Sequence, residues 1–169
     1  GIEWLDTFGV DVVSSSLGYF DWYTFADLDG DTAVTTRAAD LAAARGIVVC
    51  SSAGNERNTA WGHIIAPADG DTVIAVGAVQ LDGSLAGFSS PGPTADGRIK
   101  PDVCALGVGV VVASPAADTE YGAVSGTSLS CPLAAGVAAL LLQRAPGLTP
   151  WQVREALRYD IDGVYFGDD

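Results

Sequence analysis

Hydroxyl groups, small residues and a proline at fixed offsets make Ser125-Gly-Thr-Ser-Leu-Ser-Cys-Pro-Leu-Ala-Ala-Gly136 the stretch of this chain most suited to chemistry. It runs directly into Val137-Ala-Ala-Leu-Leu-Leu-Gln143, an apolar segment that reads as helix. The Ser-Gly-Thr turn would deliver Ser128 to the start of that helix, where amide groups lack intrahelical partners and the helix dipole is positive. A serine there is commonly an N-cap. It is a nucleophile if a base takes its proton and donors await the charge that forms on the attacked group.

The elements that would position Ser128 follow from periodicity. Leu129, Leu133, Val137, Leu140 and Leu141 form one helical stripe, and Ala134, Ala135, Ala138 and Ala139 form the opposite face. Such a helix is apolar all round and is expected to be buried, with Pro132 tolerated in its first turn. Upstream, Val10–Gly18 reads as a β-branched strand, and residues 19–31, rich in aromatic and acidic side chains, as an exposed loop. A helix follows with the stripe Val34, Ala38, Leu41 and Ala42, capped by Thr32 or Asp31 and ended by Gly46. Ile47–Gly54 is a continuous apolar run of buried-strand type. Strand, helix and strand in that order predict a parallel crossover. Thr72–Val79 and Val108–Ala113 are further strands, separated from their neighbours by the loop 56–71 and a long punctuated loop around Phe88–Asp96. Thr149, Pro150 and Gln152 form a capping box that opens a last helix to about Arg158, and the acidic residues from Asp160 to Asp169 read as a frayed tail.

The 169 residues carry 21 acidic and 8 basic side chains, a net charge of −13, and Lys100 is the only lysine. That balance excludes nucleic acid as a partner, since phosphate recognition needs clustered cations. No apolar run is long enough to span a bilayer, and the sequence shows no signal peptide. Three cysteines, Cys50, Cys104 and Cys131, each lie in apolar runs without CxxC spacing and read as small buried hydrophobes. The acidic turn Asp27-Leu-Asp-Gly-Asp31 could gather oxygens around calcium, but its glycine is at the wrong offset for an EF-hand. Its simpler reading is a solvated turn.

Gly126-Thr-Ser-Leu-Ser-Cys-Pro-Leu-Ala-Ala-Gly136 resembles the nucleophile motif of the subtilisin-like serine proteases. It is not the Gly-x-Ser-x-Gly elbow of the α/β-hydrolases, because Ser130 stands at the second glycine position. Ser16-Leu-Gly18 and Ser52-Ala-Gly-Asn55 resemble further strings of that family, in the same order, as do Val73–Ala78, Phe88–Pro93 and Pro101–Gly107. Leu106 and Leu133 depart from the family's proline and histidine at those places. The resemblance implies a three-layer α/β/α fold with a mainly parallel sheet, and a serine endopeptidase acting on peptides or proteins. It implies Ser128 as nucleophile and Asn55 as an oxyanion donor. It also implies Ser16, Leu17 and Gly18 as the edge that pairs with an extended substrate, and Ser52, Ala53 and Gly54 as walls of the pocket for the residue before the cut. No cofactor is required, calcium is left open, and the family's habit is secretion or export to the periplasm.

The resemblance also shows a gap. A catalytic triad in this family runs aspartate, histidine, serine. The one histidine, His63, follows Asn55 and stands in Trp61-Gly-His-Ile-Ile rather than His-Gly-Thr-His. Asp11, the aspartate whose surroundings come closest, aligns with a later strand. Residues 1–169 therefore read as the C-terminal portion of a catalytic domain, with aspartate and histidine upstream of residue 1. On this reading the chain hydrolyses peptides negligibly by itself and exposes surface for self-association. Two alternatives stand beside the enzyme: a relative that only binds peptide, and a structural module that merely retains the motif.

Overall fold

A computed structural model describes residues 1–159. The continuous apolar runs become the strands of one parallel sheet, as burial on both faces demands. These are β1 (Val12–Ser15), β2 (Val48–Ser52), β3 (Ile74–Val79) and β4 (Val103–Leu106), in the order β1-β2-β3-β4. Helix α1 (Ile2–Asp6) precedes β1, and α2 (Val34–Ala44) makes the right-order crossover from β1 to β2, with Val12 opposite Val48. After β4 come a separate antiparallel hairpin, β5 (Val110–Ala113) with β6 (Tyr121–Val124), then α3 (Thr127–Arg144) and α4 (Pro150–Arg158).

The sheet separates two cores. On one face Val48 and Cys50 of β2 and Ile74 and Val76 of β3 meet Cys131, Ala134, Ala135 and Ala138 of α3, with Val153 of α4 beside them. On the other, Val13, Val49 and Val73 meet Ala39 and Ala42 of α2, flanked by Ile2 and Leu5 of α1. Period-two alternation along β2 thus feeds both layers, which is why all of its residues are buried. The result is the expected α/β/α sandwich. The capping box of α4 forms as read: Gln152 N–H donates to Thr149 Oγ1, and Thr149 N–H to Gln152 Oε1 at 2.8 Å.

Several expectations need correction. α3 buries its small face, Ala134, Ala135 and Ala138, because only small side chains let a helix lie close to the sheet. Three members of its large apolar stripe face outward, Leu133, Val137 and Leu140 being exposed by 46%, 47% and 63%, while Leu141 packs against the core. Pro132 is the sixth residue of α3, beyond the first turn. In α2 the buried face is Thr36, Ala39, Ala42 and Ala43, while Val34 and Leu41 are exposed; the N-cap is Ala33, not Thr32 or Asp31. Loop 19–31 is anchored rather than wholly exposed: Leu28 is fully buried, and Tyr19 bridges Ala66. Strands β4 and β6 are not among the expected strands; small residues interrupt their larger ones. Cys104, on edge strand β4, is exposed while Cys50 and Cys131 are buried. The acidic tail lies outside the described residues.

A buried ion pair fastens β3 to β4. Lys100 Nζ lies 2.7 Å from Asp102 Oδ2 and donates to Val73 O at 2.7 Å, and both side chains are 2% exposed. Asp102 Oδ2 also accepts from Ala75 N–H. Burial pulls the Lys100 ammonium below its usual range, against the opposing pull of Asp102. Removing one partner strands the other charge, so Lys100→Ala should destabilise by about 3–5 kcal/mol in urea unfolding. Replacing both residues by apolar side chains of similar volume should cost far less, and equal losses would refute the pairing.

The thiols offer a second check. Burial pushes Cys50 up to about 12 and raises Cys131 as well. Burial raises the Cys104 thiol too, but it is the exposed one of the three, so Cys104 should react first with an aromatic disulfide reagent in the native state, and all three after denaturation. Rapid native reaction at Cys50 would contradict the core.

Candidate active site

The C-terminal ends of β1, β2 and β4 converge on the first turn of α3. Gly107, just past β4, accepts from Gly126 N–H at 2.8 Å and so seats the turn before the helix. No side chain fits there: a Cβ on Gly107 would lie 2.4 Å from Ser130 Oγ and 2.6 Å from Ala78 Cβ. Ser130 Oγ in turn donates to Ala105 O at 3.0 Å. Gly126 is the N-cap of α3 and Ser128 its second residue, so the hydroxyl of Ser128 does not cap the helix. It is half-buried and makes one long contact, 3.4 Å, to Ser16 O.

Asn55 is held by the residue before Ser128. Its Oδ1 accepts from Thr127 N–H at 2.9 Å and from Thr127 Oγ1 at 3.1 Å, while Thr127 Oγ1 accepts from Gly54 N–H. With Oδ1 committed, Asn55 is exposed and its two Nδ2 N–H groups have no hydrogen-bond partner among the described residues. The Ser128 N–H, in the first turn of α3, belongs to the amides that a helix leaves without internal partners. Asn55 is thus bonded to the residue directly before Ser128.

Ser16 supplies a link that sequence reading missed. Pro132 has no N–H, so the carbonyl of Ser128, four residues earlier, loses its helical partner. Ser16 Oγ donates to that carbonyl at 2.8 Å. Leu17 and Gly18 have no main-chain hydrogen-bond partner among the described residues, and Leu17 is exposed. Ala53 and Gly54 differ: Ala53 O accepts from Ile65 N–H and Gly54 O from Ser90 N–H. The first segment is an open edge, the second a closed wall, and Ser52 is buried within the sheet.

His63 lies in the loop between β2 and β3, stacked on Phe25 with ring centroids 4.0 Å apart. The acidic turn is occupied by its own backbone. Asp27 accepts from the N–H and hydroxyl of Thr24, and Asp29 from the N–H groups of Asp31 and Thr32; these bonds hold both carboxylates below their usual range. Among the described residues no group of three or more His, Cys, Asp or Glu is placed to hold a metal ion. Nor is any helix among them long and apolar enough to cross a membrane.

The profile of the Subtilase family, peptidase S8, matches residues 1–164. The chain belongs to the subtilase family. It is 36% identical to serine protease AprX of Bacillus subtilis over 96% of its own length, and 38% identical to subtilisin DY of Bacillus licheniformis over 99%. It is 37% identical to a subtilisin of Bacillus pumilus, again over 99%. The chain spans 42%, 57% and 54% of the lengths of these three relatives. Of the residues in this subtilase's site, Thr127, Gly107 and Ser90 had a signal in the motif strings, whereas Ile65 lay in a loop without one.

The bond from Ser16 to the Ser128 carbonyl is testable by a double-mutant cycle. Ser16→Ala should cost about 1 kcal/mol of stability. In a Pro132→Ala background the restored N–H can reach the same carbonyl, so the cost of Ser16→Ala should shrink. Equal costs in both backgrounds, from urea unfolding midpoints, would refute the link.

Proposed function

We propose that the protein is the portion of a serine endopeptidase that carries the nucleophile and the oxyanion donors, acting on peptide or protein substrates. One observation carries the reading. Thr127 N–H and Thr127 Oγ1 both bond to Asn55 Oδ1, which ties that side-chain amide to the residue before Ser128 and leaves its Nδ2 N–H groups without a partner among the described residues. A helix cap would need neither the clamp nor the amide.

In the proposed reaction, Ser128 Oγ loses its proton to a histidine and attacks the carbonyl carbon of the bond to be cut. The negative charge that collects on the carbonyl oxygen is met by Asn55 Nδ2–H and Ser128 N–H. Both donors are fixed before the charge forms, so little reorganisation is needed. The proton then passes to the leaving amine, the peptide bond breaks, and water releases the acyl group from Ser128. The substrate lies extended along Leu17 and Gly18, whose main-chain groups are open to it, and against the wall of Ala53 and Gly54. These steps require no cofactor.

The triad histidine and aspartate are assigned to residues outside this sequence. Two things support that: the context of His63, stacked on Phe25, and the greater length of the relatives. The same reading gives residues 1–169 the place of the C-terminal part of a catalytic domain. It gives the exposed stripe of Leu133, Val137 and Leu140 a covered position in the whole protein, and makes it the surface through which the part alone self-associates. The habit of the family supports secretion or export to the periplasm as the place where the whole protein acts.

A fluorophosphonate and intact-mass analysis test the proposal. The protein extended upstream should gain one adduct, mapped to Ser128, and residues 1–169 alone should gain none on the same timescale. Loss of one such donor costs subtilisin about 10²–10³-fold in kcat, and Asn55→Leu in the extended protein is expected to lose a comparable factor. If the extended protein neither labels nor cleaves, the reading fails and a peptide-binding subtilase relative replaces it.

A further inference from the structure

Leu17–Gly18 and Ala53–Gly54 bound the space that a substrate residue before the cut would enter, and a third segment reaches into that space from below. Residues 64–66 are stitched between the two walls. Ile65 N–H donates to Ala53 O at 3.2 Å, while Tyr19 and Ala66 exchange main-chain bonds of 2.8 and 3.1 Å. This backbone fixes where the Ile65 side chain goes. A Cβ on Gly18 would lie 2.2 Å from Ile65 Cδ1 and 2.6 Å from Cγ1. A Cβ on Gly54 would lie 3.0 Å from each of the same two atoms. One branched side chain, 8% exposed, therefore packs against both glycines, with Ser90 Oγ 2.9 Å from the same Gly54 Cβ position beside it.

We infer that Ile65 is the specificity-determining floor of this pocket and restricts the substrate residue before the cut to a small side chain, such as Gly, Ala or Ser. The inference rests on the proposed protease reading, because that reading makes Gly18 and Gly54 pocket walls. The physical argument is steric. A sec-butyl group packed against both glycines fills depth that an aromatic or long aliphatic side chain would need, and its position is locked by the Ile65–Ala53 and Tyr19–Ala66 bonds. A branched aliphatic floor also offers no charge or hydrogen bond to a Lys, Arg or Glu in that position.

The test uses the protein extended upstream and peptides that differ only in the residue before the cut. Hydrolysis should favour Ala over Phe in kcat/KM by tenfold or more, in line with what one or two carbon groups decide in an apolar pocket. Ile65→Gly should reverse the order, and Ile65→Val and Ile65→Ala, which perturb folding less, should shift the ratio in steps. Equilibrium binding of peptides that end at the same residue gives a readout independent of turnover. If nothing is cleaved but Ala-ended peptides bind more tightly than Phe-ended ones, with Ile65→Ala narrowing the gap, the floor stands and the protease reading falls. Equal or better use of Phe by the unmodified protein overturns the inference, as does a rank order unmoved by all three variants. Absence of both cleavage and peptide binding overturns both.

Discussion

The first turn of α3 is stitched to the ends of three strands, and the rest of the site depends on that seam. Asn55, one residue past the β2 wall, holds Thr127; Ser16, past β1, holds the carbonyl of Ser128; Gly107, past β4, holds Gly126. Each strand end grips a different consecutive residue of the turn, so the turn cannot slide along the helix axis without breaking all three. This is the general habit of parallel sheets, whose chemistry gathers beyond the carboxyl ends of the strands. Here side-chain and main-chain bonds both serve, because the turn has no ladder of its own to satisfy it.

Pro132 shows how a local defect becomes a fastening. A proline in the sixth position of a helix removes a hydrogen bond and leaves a carbonyl unpaired. The carbonyl belongs to Ser128, and the hydroxyl that meets it comes from a strand far away in sequence. The gap in the helix thus ties β1 to the reactive turn. Cys131, beside the proline, adds a weaker contact from its thiol to Ser15 O at 3.5 Å.

Much of this was legible in the sequence because the informative strings are local. Continuous apolar runs gave β2 and β3, the capping box gave α4, and Gly-Thr-Ser located the start of α3. What stayed hidden was relational. The stripe of Leu133, Val137 and Leu140 has the right period for a core face, yet the sheet takes the alanine face because close approach outweighs the area of larger side chains. α2 repeats the lesson with Ala39 and Ala42 chosen over Val34 and Leu41. Strands β4 and β6 are no shorter than β1 and β5, but small residues stand between their larger ones and leave no β-branched run to read. Ile65 gave no sign because its importance comes from facing Gly18 and Gly54, both distant in sequence and silent as types. The role of Thr127 was masked by its neighbour Ser128.

The Lys100–Asp102 pair has a consequence for how the protein meets ionic strength. A surface with a net charge of −13 repels itself, and dissolved salt weakens that repulsion over distances of about 10 Å at 0.1 M. Counter-ions cannot enter between two side chains that are 2% exposed. The junction of β3 and β4 is therefore held by an electrostatic contact that salt leaves nearly untouched, while the charges around it are progressively quieted. Added salt relieves the strain on the outside of the molecule without loosening the ionic fastening inside it.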